Sequence, residues 1–72
     1  MDTIHTKEHK YMVEQLKAAR IESGYDQETV ADKLGKTQSY VSKMESGQRR
    51  IDVVQLKQFA MVYGKQLDYF II

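Results

Sequence analysis

Near the middle of the chain, Gln38, Ser39, Tyr40, Ser42 and Lys43 gather an amide, two hydroxyls, a phenol and a cation into six residues. An amide such as Gln38 offers a donor and an acceptor side by side, so it can bond two neighbouring atoms of one flat ring at once. Ser39 and Ser42 donate or accept, and Lys43 is a compact charge for an electron-rich acceptor or an oxyanion. Around them stand Thr37 on one side and Gln48, Arg49 and Arg50 on the other. These are donors suited to anionic oxygens. No nucleophile, base and orienting group converge, and there is no glycine-rich phosphate loop, so the chemistry is recognition and not bond-making. Asp26 and Glu28, or Glu14 with Glu22, read as a helix cap, a dipole partner and solvated faces, not as catalytic carboxylates. His5 and His9 are four residues apart, a spacing that suits a metal on a helix, but no carboxylate or cysteine completes a site. No metal and no cofactor are expected.

These residues must be positioned by helices. In the run from Gln27 to Ser46, QETVADKLGKTQSYVSKMES, Val30, Leu34, Val41 and Met44 supply apolar contacts. Ala31 marks a close helix approach, and Gly35 marks an exit that needs positive φ. Asp26 caps a helix over 27–34, and Thr37 caps a second from Gln38 to about Ser46, ended by Gly47. Upstream, Met12, Val13, Leu16, Ala19, the Arg20 stem and Ile21 repeat at helical spacing. They predict a helix from His9 to about Ser23, stopped by Gly24, with 1–8 a polar, flexible tail and 9–72 one domain. Downstream, Asp52 and Gln55 form a capping box, and Val53, Leu56, Phe59, Ala60, Val62 and Tyr63 face inward up to Gly64. Leu67 to about Ile71 is a fifth short helix. The expected fold is all-α, a compact bundle of about five short helices. Two helices joined by a tight turn, the second with small polar side chains outward, are the sequence form of a DNA-reading helix-turn-helix.

The chain resembles the helix-turn-helix family of the phage repressors and Cro proteins, which includes the controller proteins of restriction-modification operons. The family's pattern stands here as Val30-Ala31, Leu34-Gly35, Thr37 and Glu45-Ser46-Gly47. The resemblance covers roughly residues 13–70. One departure is Lys36, where the family usually has an apolar residue. The resemblance implies a lambda-repressor-like DNA-binding domain whose second motif helix enters the major groove. Gln38, Ser39, Tyr40, Ser42 and Lys43 are the expected base contacts, with burial under the preceding helix the alternative for Tyr40. Gln27, Thr37, Gln48, Arg49 and Arg50 are the expected phosphate contacts. The resemblance further implies that Gln27 braces Gln38, and that Arg20 pairs with Glu45 in a partly buried ion pair.

Bulk properties agree with a small binding domain. Seventy-two residues make one domain with a limited core, and the absence of cysteine rules out a disulfide or thiolate site. The only apolar run, Tyr69 to Ile72, is too short to cross a bilayer, so a cytoplasmic location is expected, nucleoid-associated on DNA. Net charge is only +1, yet Lys36, Lys43, Arg49 and Arg50 stand against Glu45 alone between residues 36 and 50. Of Leu67, Tyr69, Phe70, Ile71 and Ile72, some should cover the ends of the first and fourth helices and the rest make a symmetric dimer contact, unless all of them complete the core. The expectation is a homodimeric repressor reading a palindromic operator on double-stranded DNA, with no small-molecule ligand. The rival is a protein-interaction module, an antitoxin or adaptor, that uses Tyr40, Tyr63 and the C-terminal aromatics as its contact.

Overall fold

The computed structural model describes residues 5–72, and within them each helix starts where a short oxygen-bearing side chain takes up a free N–H. Thr6 Oγ1 accepts from the His9 N–H at 3.1 Å and opens α1 (Lys7–Glu22). Asp26 Oδ1 does the same for Thr29 at the head of α2 (Gln27–Leu34). Thr37 opens α3 (Gln38–Glu45). Asp52 opens α4 (Val53–Tyr63) in a reciprocal capping box with Gln55. A 3-10 turn, Leu67–Phe70, closes the chain. The result is an all-α domain of four helices and one 3-10 turn, so the fifth helix is shorter and tighter than expected.

The turn between α2 and α3 is three residues long. Gly35 sits at φ +68°, where an L side chain is strained, and the Gly35 and Lys36 N–H groups close on the Asp32 and Ala31 carbonyls. That turn folds α2 back so that it packs chiefly against α3. Ala31, 2 % exposed, lets the two backbones approach.

The core gathers one stripe from each element. Leu16 and Ala19 come from α1, Val30 from α2, and Val41 and Met44 from α3. Leu56, Phe59, Ala60 and Tyr63 come from α4, and Phe70 from the 3-10 turn. Phe59 is the centre of an aromatic stack, with Tyr40 at 6.2 Å on one side and Tyr63 at 6.2 Å on the other.

Two expectations need correction. The polar tail over 1–8 is too long. Residues 1–4 lie outside the described part, but Thr6 caps α1 and Lys7 and Glu8 are helical, because the cap lies three residues before His9, the expected start. Ile21 and Val53, expected inside, are both more than 60 % exposed. Ile21 is two residues beyond Ala19 and so lies on the far side of α1, and Val53 is the first residue of α4, a turn before its stripe begins. The C-terminal apolar residues divide: Phe70 is buried, Leu67 and Tyr69 pack on the core, and Ile71 and Ile72 are exposed.

Phe59→Ala empties the centre of this core and is expected to cost about 3–5 kcal/mol in urea unfolding. The Tyr63 hydroxyl is buried without a hydrogen-bond partner among the described residues. Tyr63→Phe is therefore expected to be neutral or to stabilise by up to about 1 kcal/mol, and a clear loss of stability would show that the hydroxyl is satisfied.

Candidate nucleic-acid interface

The second motif helix has two faces with different jobs. Val41 and Met44 point into the core, while Gln38, Ser39, Ser42 and Lys43 are all exposed and form one outward row. No acidic residue stands in the first turn of α3. Thr37 is exposed, and its hydroxyl takes the Tyr40 N–H at 3.1 Å, leaving the earlier N–H groups of the helix end directed outward.

Tyr40 does not belong to that row. Its ring is half-buried and lies nearly parallel to Phe59, with 3° between the planes, and the Lys36 ammonium sits 5.4 Å above it. The ring packs on Phe59 of α4, close to the burial given as the alternative for Tyr40, and only its remaining exposed part is open to a base. The contact surface imagined for a protein-interaction module also breaks up: Tyr63 and Phe70 are buried in the core.

Beneath the row, Arg20 and Glu45 are joined in a two-pronged ion pair. Arg20 Nε lies 2.7 Å from Glu45 Oε2, and Arg20 Nη2 lies 3.0 Å from Glu45 Oε1. The Arg20 and Glu45 side chains are 13 % and 4 % exposed. The remaining Arg20 nitrogen donates to the Tyr25 carbonyl at 3.1 Å, and Gln27 Nε2 donates to Glu45 Oε1 at 3.2 Å. The hydrogen bond that Arg20 donates to Glu45 pushes the guanidinium above its ordinary range, with burial opposing and the Glu45 charge assisting. Burial pushes the Tyr63 phenol up, and the Glu45 charge adds to it. Gln27, the expected brace of Gln38, gives its amide nitrogen to Glu45 instead, which has the larger demand for donors because it is a buried charge.

This network has an electrostatic effect at the surface. The one acid between Lys36 and Arg50 is turned inward and neutralised, while Lys36, Lys43, Arg49 and Arg50 are exposed. Gln48 is also exposed, and the loop that carries these three residues begins at Gly47, where φ is +80°. Ser46 Oγ donates to the Lys43 carbonyl and accepts from the Gln48 N–H, which turns the chain out of α3.

Sequence spacing makes His9 only the first residue of a helix and half of a weak metal pair. In the structure it is 6 % exposed, and its Nε2 lies 3.1 Å from the Gly47 carbonyl oxygen. Extending the apolar stripe of α1 back by one position, to 9, 12, 16 and 19, would have placed it inside.

A family model described as helix-turn-helix matches residues 16–70, more than half of the chain. No curated protein matches the chain.

Arg20→Met strands a buried carboxylate and is expected to cost about 3–5 kcal/mol. Adding Glu45→Leu should recover much of that loss, so that a double-mutant cycle reports strong coupling. Additive losses would mean that the two side chains do not act as a pair.

Proposed function

The chain belongs to the Cro/C1-type helix-turn-helix family, whose domains bind DNA and are not enzymes, and on that premise we propose that it is a sequence-specific transcriptional repressor. The observation that carries this reading is the exposed polar row of α3, with Glu45, the one acid between Lys36 and Arg50, turned inward. Gln38, Ser39, Ser42 and Lys43 read base edges in the major groove, where each base pair shows a distinct donor and acceptor pattern. Gln27, Thr37, Gln48, Arg49 and Arg50 hold phosphates on both sides of the helix and set its register. Gln27 has its amide nitrogen on Glu45 and offers a phosphate only what remains of the amide and the N–H groups of the helix start.

The repressor acts as a homodimer on a palindromic site. Support comes from the large apolar side chains left in water: Val53, Val54 and Met61 on α4, with Ile71 and Ile72 after the 3-10 turn. Met61 is 81 % exposed. A two-fold dimer places two copies of α3 about 34 Å apart, one DNA turn. Occupancy of a promoter then follows concentration and dimerisation, and blocking polymerase requires no further surface. No described helix is long and apolar enough to cross a membrane, and the protein works in the cytoplasm at the nucleoid.

Selection from a randomised duplex pool tests the proposal. An inverted repeat among the winners is expected. A single half-site would remove the dimer but keep DNA reading, and no enrichment by folded protein would overturn the proposal in favour of a protein-binding module. Gln38→Ala should cost ~1–3 kcal/mol on the selected site and relax one position. Arg49→Ala should weaken binding to every sequence and flatten the slope of log affinity against log salt by about 0.9.

A further inference from the structure

We infer that His9 is a positioning residue for the phosphate-binding arch Gln48–Arg50, acting through the Gly47 carbonyl. The inference rests on the proposed role of that arch on DNA. The segment after α3 is tied at Gly47 and Ile51, with the Gln48 N–H on Ser46 Oγ between them, and the side chains of Gln48, Arg49 and Arg50 stand in water. Ile51 is half-buried and packs on the core. Gly47 is held from the side by α1: its carbonyl accepts from the His9 ring at 3.1 Å, and a Cβ at Gly47 would meet the Val13 methyl groups at 3.8 and 3.9 Å. A carbonyl only accepts, so Nε2 carries the proton.

His9 is itself held in place. Its backbone N–H is the one taken by Thr6 Oγ1 at the cap of α1, and its ring is buried. The start of α1 thus connects to the base of the arch, 38 residues on in the chain. A phosphate clamp must hold its donors in place before the anion arrives, because ordering them at the moment of binding costs affinity. The bond from His9 fixes the direction in which Gly47 launches Gln48, Arg49 and Arg50. A side chain that merely filled the core would be replaceable by any ring of similar size.

The experiment measures affinity for a random-sequence duplex across a series of salt concentrations, with full-length wild type, His9→Phe, His9→Gln and the pair Arg49→Ala with Arg50→Ala. Phe keeps the ring and loses the donor, whereas Gln keeps an N–H donor at similar reach. The expected result is a shallower salt slope for His9→Phe, by about 0.9 for each phosphate that the arch no longer neutralises, and a slope restored in His9→Gln. Measured at ~0.1 M salt relative to ~1 M, each such phosphate corresponds to about eightfold weaker binding. A folded His9→Phe with the wild-type slope, or a His9→Gln that behaves like Phe, would overturn the role of His9. If the arginine pair leaves the slope unchanged, the arch itself does not bind phosphate, and this inference fails while sequence reading by α3 still stands or falls on the duplex selection. An altered slope there, with none in His9→Phe, defeats this inference alone. Ring nitrogen NMR of the wild type adds a readout that survives a variant failing to fold: the proton is expected on Nε2, and a proton confined to Nδ1 would overturn the bond.

Discussion

The carboxylate of Glu45 is the constraint around which the rest of the domain is arranged. A charge with 4 % of its side chain exposed cannot stay ionised without donors, and here it has three, two from Arg20 and one from Gln27. Those donors come from α1 and α2, and the acceptor is the last residue of α3. One interaction therefore sets the position of three helices. Its net contribution to stability over a well-packed apolar pair is small or even unfavourable, but it penalises every arrangement in which the donors miss the acceptor. What it secures is the rotational setting of α3, and with it which side chains face outward.

That setting explains the division of labour on α3. An eight-residue helix has little surface, and half of it is used for Val41, Met44 and the flank where Tyr40 meets Phe59. Only short or flexible polar side chains remain outside. The aromatic ring closest to the outward row thus serves cohesion, and it is also where Lys36 rests its ammonium group. Lys36, where the resemblance implies an apolar residue, is accommodated because its charge finds a π face.

Much of this is legible in the residues themselves. Asp26, Thr37 and Asp52 announce helix starts by local chemistry, and Gly35 announces an exit, so the bounds of α2 match those expected and α3 ends one residue earlier. Local signals carry no information about partners far along the chain. That Gln27 meets Glu45 and not Gln38, and that the ring of His9 reaches Gly47, depends on how four helices pack, and spacing within one helix does not reveal it. Tyr40 is ambiguous for a related reason: an aromatic residue on an amphipathic helix serves either face, and only the position of Phe59 decides. Ile21 and Val53 show the opposite failure, in which an apolar residue near the end of a stripe is counted inside although the helix has already turned away.

The short connections also bear on how quickly the domain forms. Its helices start from caps within a single turn, α2 and α3 are separated by three residues, and the chain contains neither proline nor cysteine. Neither prolyl isomerisation nor disulfide exchange can delay folding, and mostly local contacts place a helical domain among the fast folders, in the microsecond-to-millisecond range. The newly made chain then folds almost as soon as it is released from synthesis. The supply of folded chain is then set by how fast it is made and removed, not by how fast it folds.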